Sequence, residues 1–379
     1  MVFPNQKLEA INKDKSLLSL LRNMTDFRRN EGKIHDLEII LMIILMAIMS
    51  GYTNYSAFYD FAHKKKNRRL IFKYLKPRKK VLPSYDTIRR VFINLDFDEL
   101  AYVFKIWASQ QIQLNENDWI SFDGKSIKGT LPDESHKLIQ IVTFFAHKSK
   151  TVILHGKIKH KSNEIPLVQQ LIEESKLENL VLTGDAMHTQ KKTIDLILEK
   201  NNSYVLCVKN NQKKLLKKVK FLAEEAKCPI SSDLTEEKNR GRFESRKVEV
   251  FKNDFQKDIE EFGFKQCKYI VKVDRTVKVK SKISNEIVYY ISNLEAEASE
   301  FNRGIRNHWL IESMHWIKDV VFKEDNSLIR KGNAPQNLTI LRDFVLNILR
   351  LNGLNDITHS IRMLNSEIKI LVTLLGGGY

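Results

Sequence analysis

The chain has 379 residues, with 63 Lys and Arg against 46 Asp and Glu, a formal net charge of +17. That excess points to a polyanionic partner, either nucleic acid or an acidic membrane surface, and the length suggests more than one domain. A 42% hydrophobic composition excludes intrinsic disorder. Three widely spaced cysteines, Cys207, Cys228 and Cys267, form no C-x-x-C pair, which argues against a disulfide scaffold or a thiolate zinc cluster and for a reducing, cytosolic compartment.

The N-terminal sequence lacks an apolar core followed by a small-residue cleavage site, so no signal peptide is expected. Residues 1 to about 115 read as helices, with apolar positions at helical spacing in 16–21, 37–49, 55–61 and 100–112. The most apolar run, Ile39 to Met49, stops at Ser50-Gly51. It falls short of the ~18 residues that a membrane-spanning helix requires, so a buried helix is expected.

The charge is concentrated. From Phe61 to Arg90 there are twelve Lys or Arg and one acid, Asp86. This stretch holds Lys64, Lys65, Lys66, Arg68 and Arg69, then Arg78, Lys79 and Lys80, with Phe61, Phe72, Tyr74 and Tyr85 interleaved. A single lysine run is usually a solvated face. Two runs precede Pro83-Ser84-Tyr85-Asp86, where Ser84 or Asp86 can cap a helix that carries Arg89 and Arg90 in its first turns. The pattern suits a helix-turn-helix-like element with phosphate contacts around it.

From Trp119 the texture changes to short β-type runs, 119–122, 138–145, 151–158, 180–183 and 204–208, alternating with helical segments at about 165–177 and 191–200. Strand–helix alternation implies an α/β sheet. A β-rich stretch from 227 to about 294 interrupts it, with runs at 247–251, 269–273 and 287–291. From about 302 the chain reads as helical, and the glycines at 376–378 suggest a frayed tail.

Asp123 and Asp185 each end an apolar strand and have small neighbours, Gly124 after one and Gly184 and Ala186 around the other. Ligand chemistry collects at strand carboxyl ends in α/β sheets. Either Asp alone would read as a cap or turn residue. Further on, His308, Glu312, His315 and Asp319 share one face of a predicted helix, beside Trp309 and Trp316. Acids on two strand ends and one helix can hold two Mg²⁺ for phosphodiester chemistry, with Mn²⁺ as a substitute. Such a site complements a basic surface that holds the phosphate backbone.

These residues resemble bacterial insertion-sequence DDE transposases, in the subgroup that includes the H-repeat-associated proteins. The matching stretches are 122–125 (FDGK), 161–166 (KSNEIP), 184–190 (GDAMHTQ), 208–212 (VKNNQ), 240–246 (RGRFESR), 308–316 (HWLIESMHW) and 319–325 (DVVFKED). Together they cover the chain from about Leu20 to Leu351. The resemblance implies an RNase H-like catalytic core over 116–226 and 302–365, with Asp123, Asp185 and Glu312 as the metal-binding catalytic triad. It also implies a β-rich insertion over 227–301 and a helical, basic, DNA-binding domain over 1–115, while the glycine-rich end is expected to be a tail over 366–379. Asp319 and Glu324 are the runners-up for the third ligand. Where the broader cut-and-paste enzymes carry Tyr, Arg and Lys around the Glu, this chain has Ile305, His308 and Asp319.

The implied reaction is DNA cleavage at transposon ends followed by strand transfer. The implied partners are double-stranded terminal repeats and target DNA, bound by a homodimer in the synaptic complex, in the cytoplasm at the nucleoid. A catalytically inactive DNA-binding relic and a nuclease without strand transfer are the rival readings. Lys125, His188, Lys209, Gln212, Arg240, Arg242, Arg246, His308 and His315 are the remaining candidate DNA contacts. Ser162 and Asn163 read as caps for the helix carrying Pro166. Gly124-Lys125-Ser126 resembles the end of a P-loop, but Trp119 stands where its first glycine belongs, which excludes nucleotide binding.

Overall fold

The computed structural model describes residues 16–129, 138–158, 163–226, 228–253, 259–365 and 367–376. The first part is helical: α1 (Leu17–Arg22), α2 (Leu37–Met49), α3 (Tyr55–His63), α4 (Lys65–Tyr74), α5 (Tyr85–Asn94) and α6 (Phe97–Gln111). Helix α2 is apolar on every side, so it must be enclosed on every side. All its residues but Glu38 are buried. Ser84, rather than Asp86, caps α5 by accepting a hydrogen bond from the Thr87 amide at 3.2 Å.

A nine-stranded mixed sheet follows. Its strands are β1 (Trp119–Ser126), β2 (Gln140–Ala146), β3 (Thr151–Lys157), β4 (Val181–Gly184), β5 (Ser203–Val208), β6 (Ser231–Asn239), β7 (Arg242–Lys252), β8 (Tyr269–Val279) and β9 (Lys282–Ser292), in the order β3-β2-β1-β4-β5-β9-β8-β7-β6. Strand β1 runs antiparallel to β2 and parallel to β4, and β4 runs parallel to β5. Helices α7 (Glu164–Glu174), α8 (Lys191–Glu199) and α9 (Lys213–Glu225) connect the strands. The β-rich stretch is continuous with this sheet, because β9 pairs antiparallel with β5.

The chain then forms α10 (Ala298–Asn307), α11 (Leu310–Val320), α12 (Ala334–Leu351), α13 (Ile357–Leu364) and α14 (Ile368–Leu374). The single helix expected through 308–319 is broken at His308-Trp309. There the Trp309 amide bonds the Arg306 carbonyl, a tighter turn, and the half-exposed Trp309 ring packs under the Arg275 guanidinium of β8. The expected tail is also corrected. Ile368, Leu371 and Val372 of α14 are buried, and α14 packs on α2 and α4. Residues 377–379 lie outside the described residues.

One core runs from the N-terminal helices through β1–β5 to α12. A second, smaller core packs α10 onto β7 and β8 around Val248, Val250, Val271 and Phe301. Gly304 is required for that contact, because a Cβ there would overlap the Trp119 indole of β1. Among the described residues, no helix is long and apolar enough to cross a membrane.

Candidate active site

Strand β4 is short. Its pairing with β1 stops at Phe122–Gly184, so the two strands part where Asp123 and Asp185 emerge. Helix α11 lies over β1 on the side from which Asp123 and Lys125 project. His315 of α11 brings Nδ1 to 3.6 Å from Asp123 Oδ2. His308, in the turn before α11, brings Nε2 to 3.7 Å from Asp185 Oδ1. Glu312 lines one cleft with Asp185, His308, Lys209 and Arg275. Helix α11 and the turn before it thus lie against both strand ends, with His315 facing Asp123 and with His308 and Glu312 beside Asp185.

The electrostatics follow from this crowding. Burial, then the charges of Asp185 and Glu164, push the Asp123 carboxyl up to about 6. His308 holds Asp185 below its ordinary value, against the opposing effect of burial. Burial, with Lys318 and Lys125 nearby, pushes His315 down to about 3, so a neutral imidazole faces Asp123 near pH 7.

The other acids on 319–325 have partners. Lys125 pairs with Asp319 and reaches Glu324 at 2.7 Å. Glu324 is fully buried and also accepts from Arg342 at 3.1 Å and Thr339 at 2.8 Å. Burial opposes its charge, but Lys318, Arg342 and Lys125 outweigh this and hold it well below the usual carboxylate range. Burial also disfavours the Lys125 ammonium, yet Glu324 and Asp319 hold it above the ordinary lysine value. Both runners-up for the third ligand are therefore tied to Lys125, and Lys125 itself is turned inward.

Several candidate contacts are likewise internal. His188 is fully buried, and its Nε2 lies 2.8 Å from Glu164 Oε1. Gln212 donates to the Thr189 carbonyl at 3.1 Å, bracing the turn after Asp185. Arg246 is buried against Glu244, which also binds Arg242 and Arg275. Arg240 is exposed at the tip between β6 and β7. In the N-terminal region Lys64, Lys65, Lys66, Arg68, Arg69, Arg78, Lys79, Lys80 and Arg90 are exposed and Arg89 is half-buried. Lys66 approaches Glu367 at 3.5 Å, and Arg78 pairs with Asp36. Ser162 lies outside the described residues, and Asn163 stands at the N-cap of α7.

Glu164 is an acid whose charge acts on Asp123 and which sequence reasoning did not single out. It opens α7, and the matched stretch 161–166 contained it. An acid at a helix start reads as a partner of the helix dipole, so nothing local marked it out. Among the described residues, no three His, Cys, Asp or Glu side chains already converge on an ion-sized point. The donor chemistry nevertheless fits a hard divalent cation. The acids supply oxygen ligands, and Asp123 carries a charge that its neighbours disfavour and a cation would relieve.

Residues 115–348 match the family model described as the transposase DDE domain, and residues 18–108 match the model described as DDE_Tnp_1-associated. The chain belongs to the transposase DDE domain family. It is 32% identical to the Escherichia coli O157:H7 protein named "Putative transposase YncI", over 88% of this chain and 87% of that one. It is 29% identical to the Escherichia coli K12 "H repeat-associated putative transposase YhhI", over 88% and 90% respectively. A solved piggyBac transposase synaptic complex with hairpin DNA aligns with 99% of this chain and 81% of that one, at 13% identity and a TM-score of 0.44.

Proposed function

We propose that this protein is a metal-dependent DNA transposase that cleaves phosphodiesters at the ends of its element and joins the freed 3′-hydroxyl to target DNA. The observation that carries the reading is the match of residues 115–348 to the transposase DDE domain, supported by Asp123 facing His315 of α11 and by Glu312 sharing a cleft with Asp185. We read β1–β5 with the helices around them as an RNase H-like core, β6–β9 as its insertion, and the N-terminal helices as a DNA-binding region.

Asp123, Asp185 and Glu312 would hold two Mg²⁺, with Mn²⁺ able to substitute. When bound, such a pair activates the attacking oxygen and neutralises the leaving one. The remaining roles belong to the chain itself. His308 orients the Asp185 carboxylate, and the neutral His315 borders Asp123 without adding a competing positive charge. Lys209 and Arg275 face the cleft and suit the phosphates flanking the scissile bond. The exposed lysines and arginines of 64–80 suit the backbone of a longer duplex. Two ends must be held together for joining, which favours a homodimer on DNA, acting at the nucleoid.

The test is cleavage and joining of a duplex that carries the inverted repeats flanking the coding sequence. Wild type should yield both products with Mg²⁺. Tight end binding without cleavage would support the inactive relic, and cleavage without joined products would support the nuclease.

A further inference from the structure

The acid that the triad leaves out is placed between two of its members. Glu164 opens α7, and its carboxylate lies against β1 at Gly124, the residue after Asp123. A Cβ at position 124 would overlap that carboxylate, so the glycine makes room for it. The same carboxylate bonds His188, which closes the short helical turn that begins directly after Asp185. The His188 ring is fully buried and stands edge-on to Phe122, the residue before Asp123, at a centroid distance of 5.0 Å. Glu164 therefore touches the backbone beside one catalytic Asp and a side chain three residues beyond the other. Its side chain is 13% exposed, and among the described residues its ion-pair partner is a histidine, His188.

A second observation is that Glu164 is treated like two members of the triad: His188 turns Nε2 to Glu164 at 2.8 Å, as His308 turns Nε2 to Asp185 at 3.7 Å and His315 turns Nδ1 to Asp123 at 3.6 Å. On the reading that this cleft holds divalent cations, we propose that Glu164 is a fourth carboxylate of the cation-binding centre, held in place by His188. It contributes its charge from the α7 side of the sheet, while Glu312 contributes from the α11 side. Its place explains why position 124 is glycine and why a buried histidine follows Asp185 by three residues.

The alternative role for Glu164 is purely structural, as a hydrogen-bond partner for His188. Glu164→Gln separates the two, because the amide keeps shape and hydrogen bonding but removes the charge. Mn²⁺ binding to the full-length chain is measured by calorimetry, without DNA, and thermal melting is recorded with and without Mn²⁺. For Glu164→Gln, Mn²⁺ affinity should fall about tenfold or more, the size seen when a metal site loses a supporting carboxylate. Its metal-free melting temperature should stay close to that of wild type, and the Mn²⁺-induced rise should shrink.

Wild-type Mn²⁺ affinity in Glu164→Gln, with Asp123→Asn binding weakly, would overturn the role of Glu164 and leave the triad intact. Wild-type affinity in Asp123→Asn as well, or no Mn²⁺ binding by wild type, would overturn both readings. If Glu164→Gln is unstable, Gly124→Ala gives a second route. Its Cβ displaces the carboxylate without changing any charge, and it should also weaken Mn²⁺ binding. Unchanged binding in Gly124→Ala would count against the proposal.

Discussion

Replacing Lys125 by Met tests the claim that this lysine ties the Asp123 strand to the Glu312 helix. Its side chain is 12% exposed, against 0% for Glu324 and 26% for Asp319. Removing one partner of a buried ion pair costs about 3–5 kcal/mol when the other charge is left uncompensated. Here Asp319 can turn towards water and Glu324 keeps Arg342 and Thr339, so the loss should sit near about 3 kcal/mol. For unfolding of this length of chain as one unit the entropy is about 0.8 kcal/mol/K, so the midpoint should fall by about 4 °C. Melting is followed by circular dichroism for wild type, Lys125→Met and Lys125→Arg, at low and molar salt. Arg should recover part of the loss, and salt should leave the difference in place, because buried pairs are weakly screened. A Met variant that melts with wild type, or a difference that salt abolishes, would refute the reasoning.

Other outcomes follow from the same geometry. Asp123 titrates near 6 in the folded chain, above its ordinary value of 3.8. The folded state therefore favours the protonated form, and the associated stability is complete below 3.8 and lost as pH rises through about 6. Asp123→Asn should then stabilise the metal-free chain above that range by up to about 3 kcal/mol and leave it unchanged in stronger acid. Urea unfolding in chelator at several pH values checks this, and equal stability at neutral pH would contradict it. Changing Lys65, Lys66, Lys79 and Lys80 together to Ala should lower the salt-dependence slope of DNA binding by about 3–4 if each contacts one phosphate. An unchanged slope would move the contact surface elsewhere. Gly304→Ala should cost about 1–3 kcal/mol by forcing α10 off Trp119, measured by urea unfolding, and a neutral effect would refute that packing.

Much of the fold was legible because most strands of the core sheet are buried. The runs that form β1–β5 are short and apolar, and they stand out against the amphipathic helices. Strand β6 was not legible, since Ser231–Asn239 is polar and mostly exposed and takes its conformation from pairing with β7. The break at His308-Trp309 was hidden for a similar reason, because no proline or glycine marks it. Asp123, Asp185 and Glu312 stood out as candidates because each sits at a recognisable strand end or on a patterned helix. Lys125 could not be read as internal, since its partners lie 194 and 199 residues away. Glu164 was invisible for the same reason, as its contacts with Gly124 and His188 exist only after the sheet has assembled.

The central claim is that Asp123, Asp185 and Glu312 act as one centre for phosphodiester chemistry. The most direct measurement is strand cleavage of end-bearing duplex DNA with Mg²⁺ by wild type, Asp123→Asn, Asp185→Asn and Glu312→Gln, alongside DNA binding by each. The account predicts cleavage by wild type alone, with binding largely preserved in all three variants. Cleavage at the wild-type rate by any of the three would contradict it.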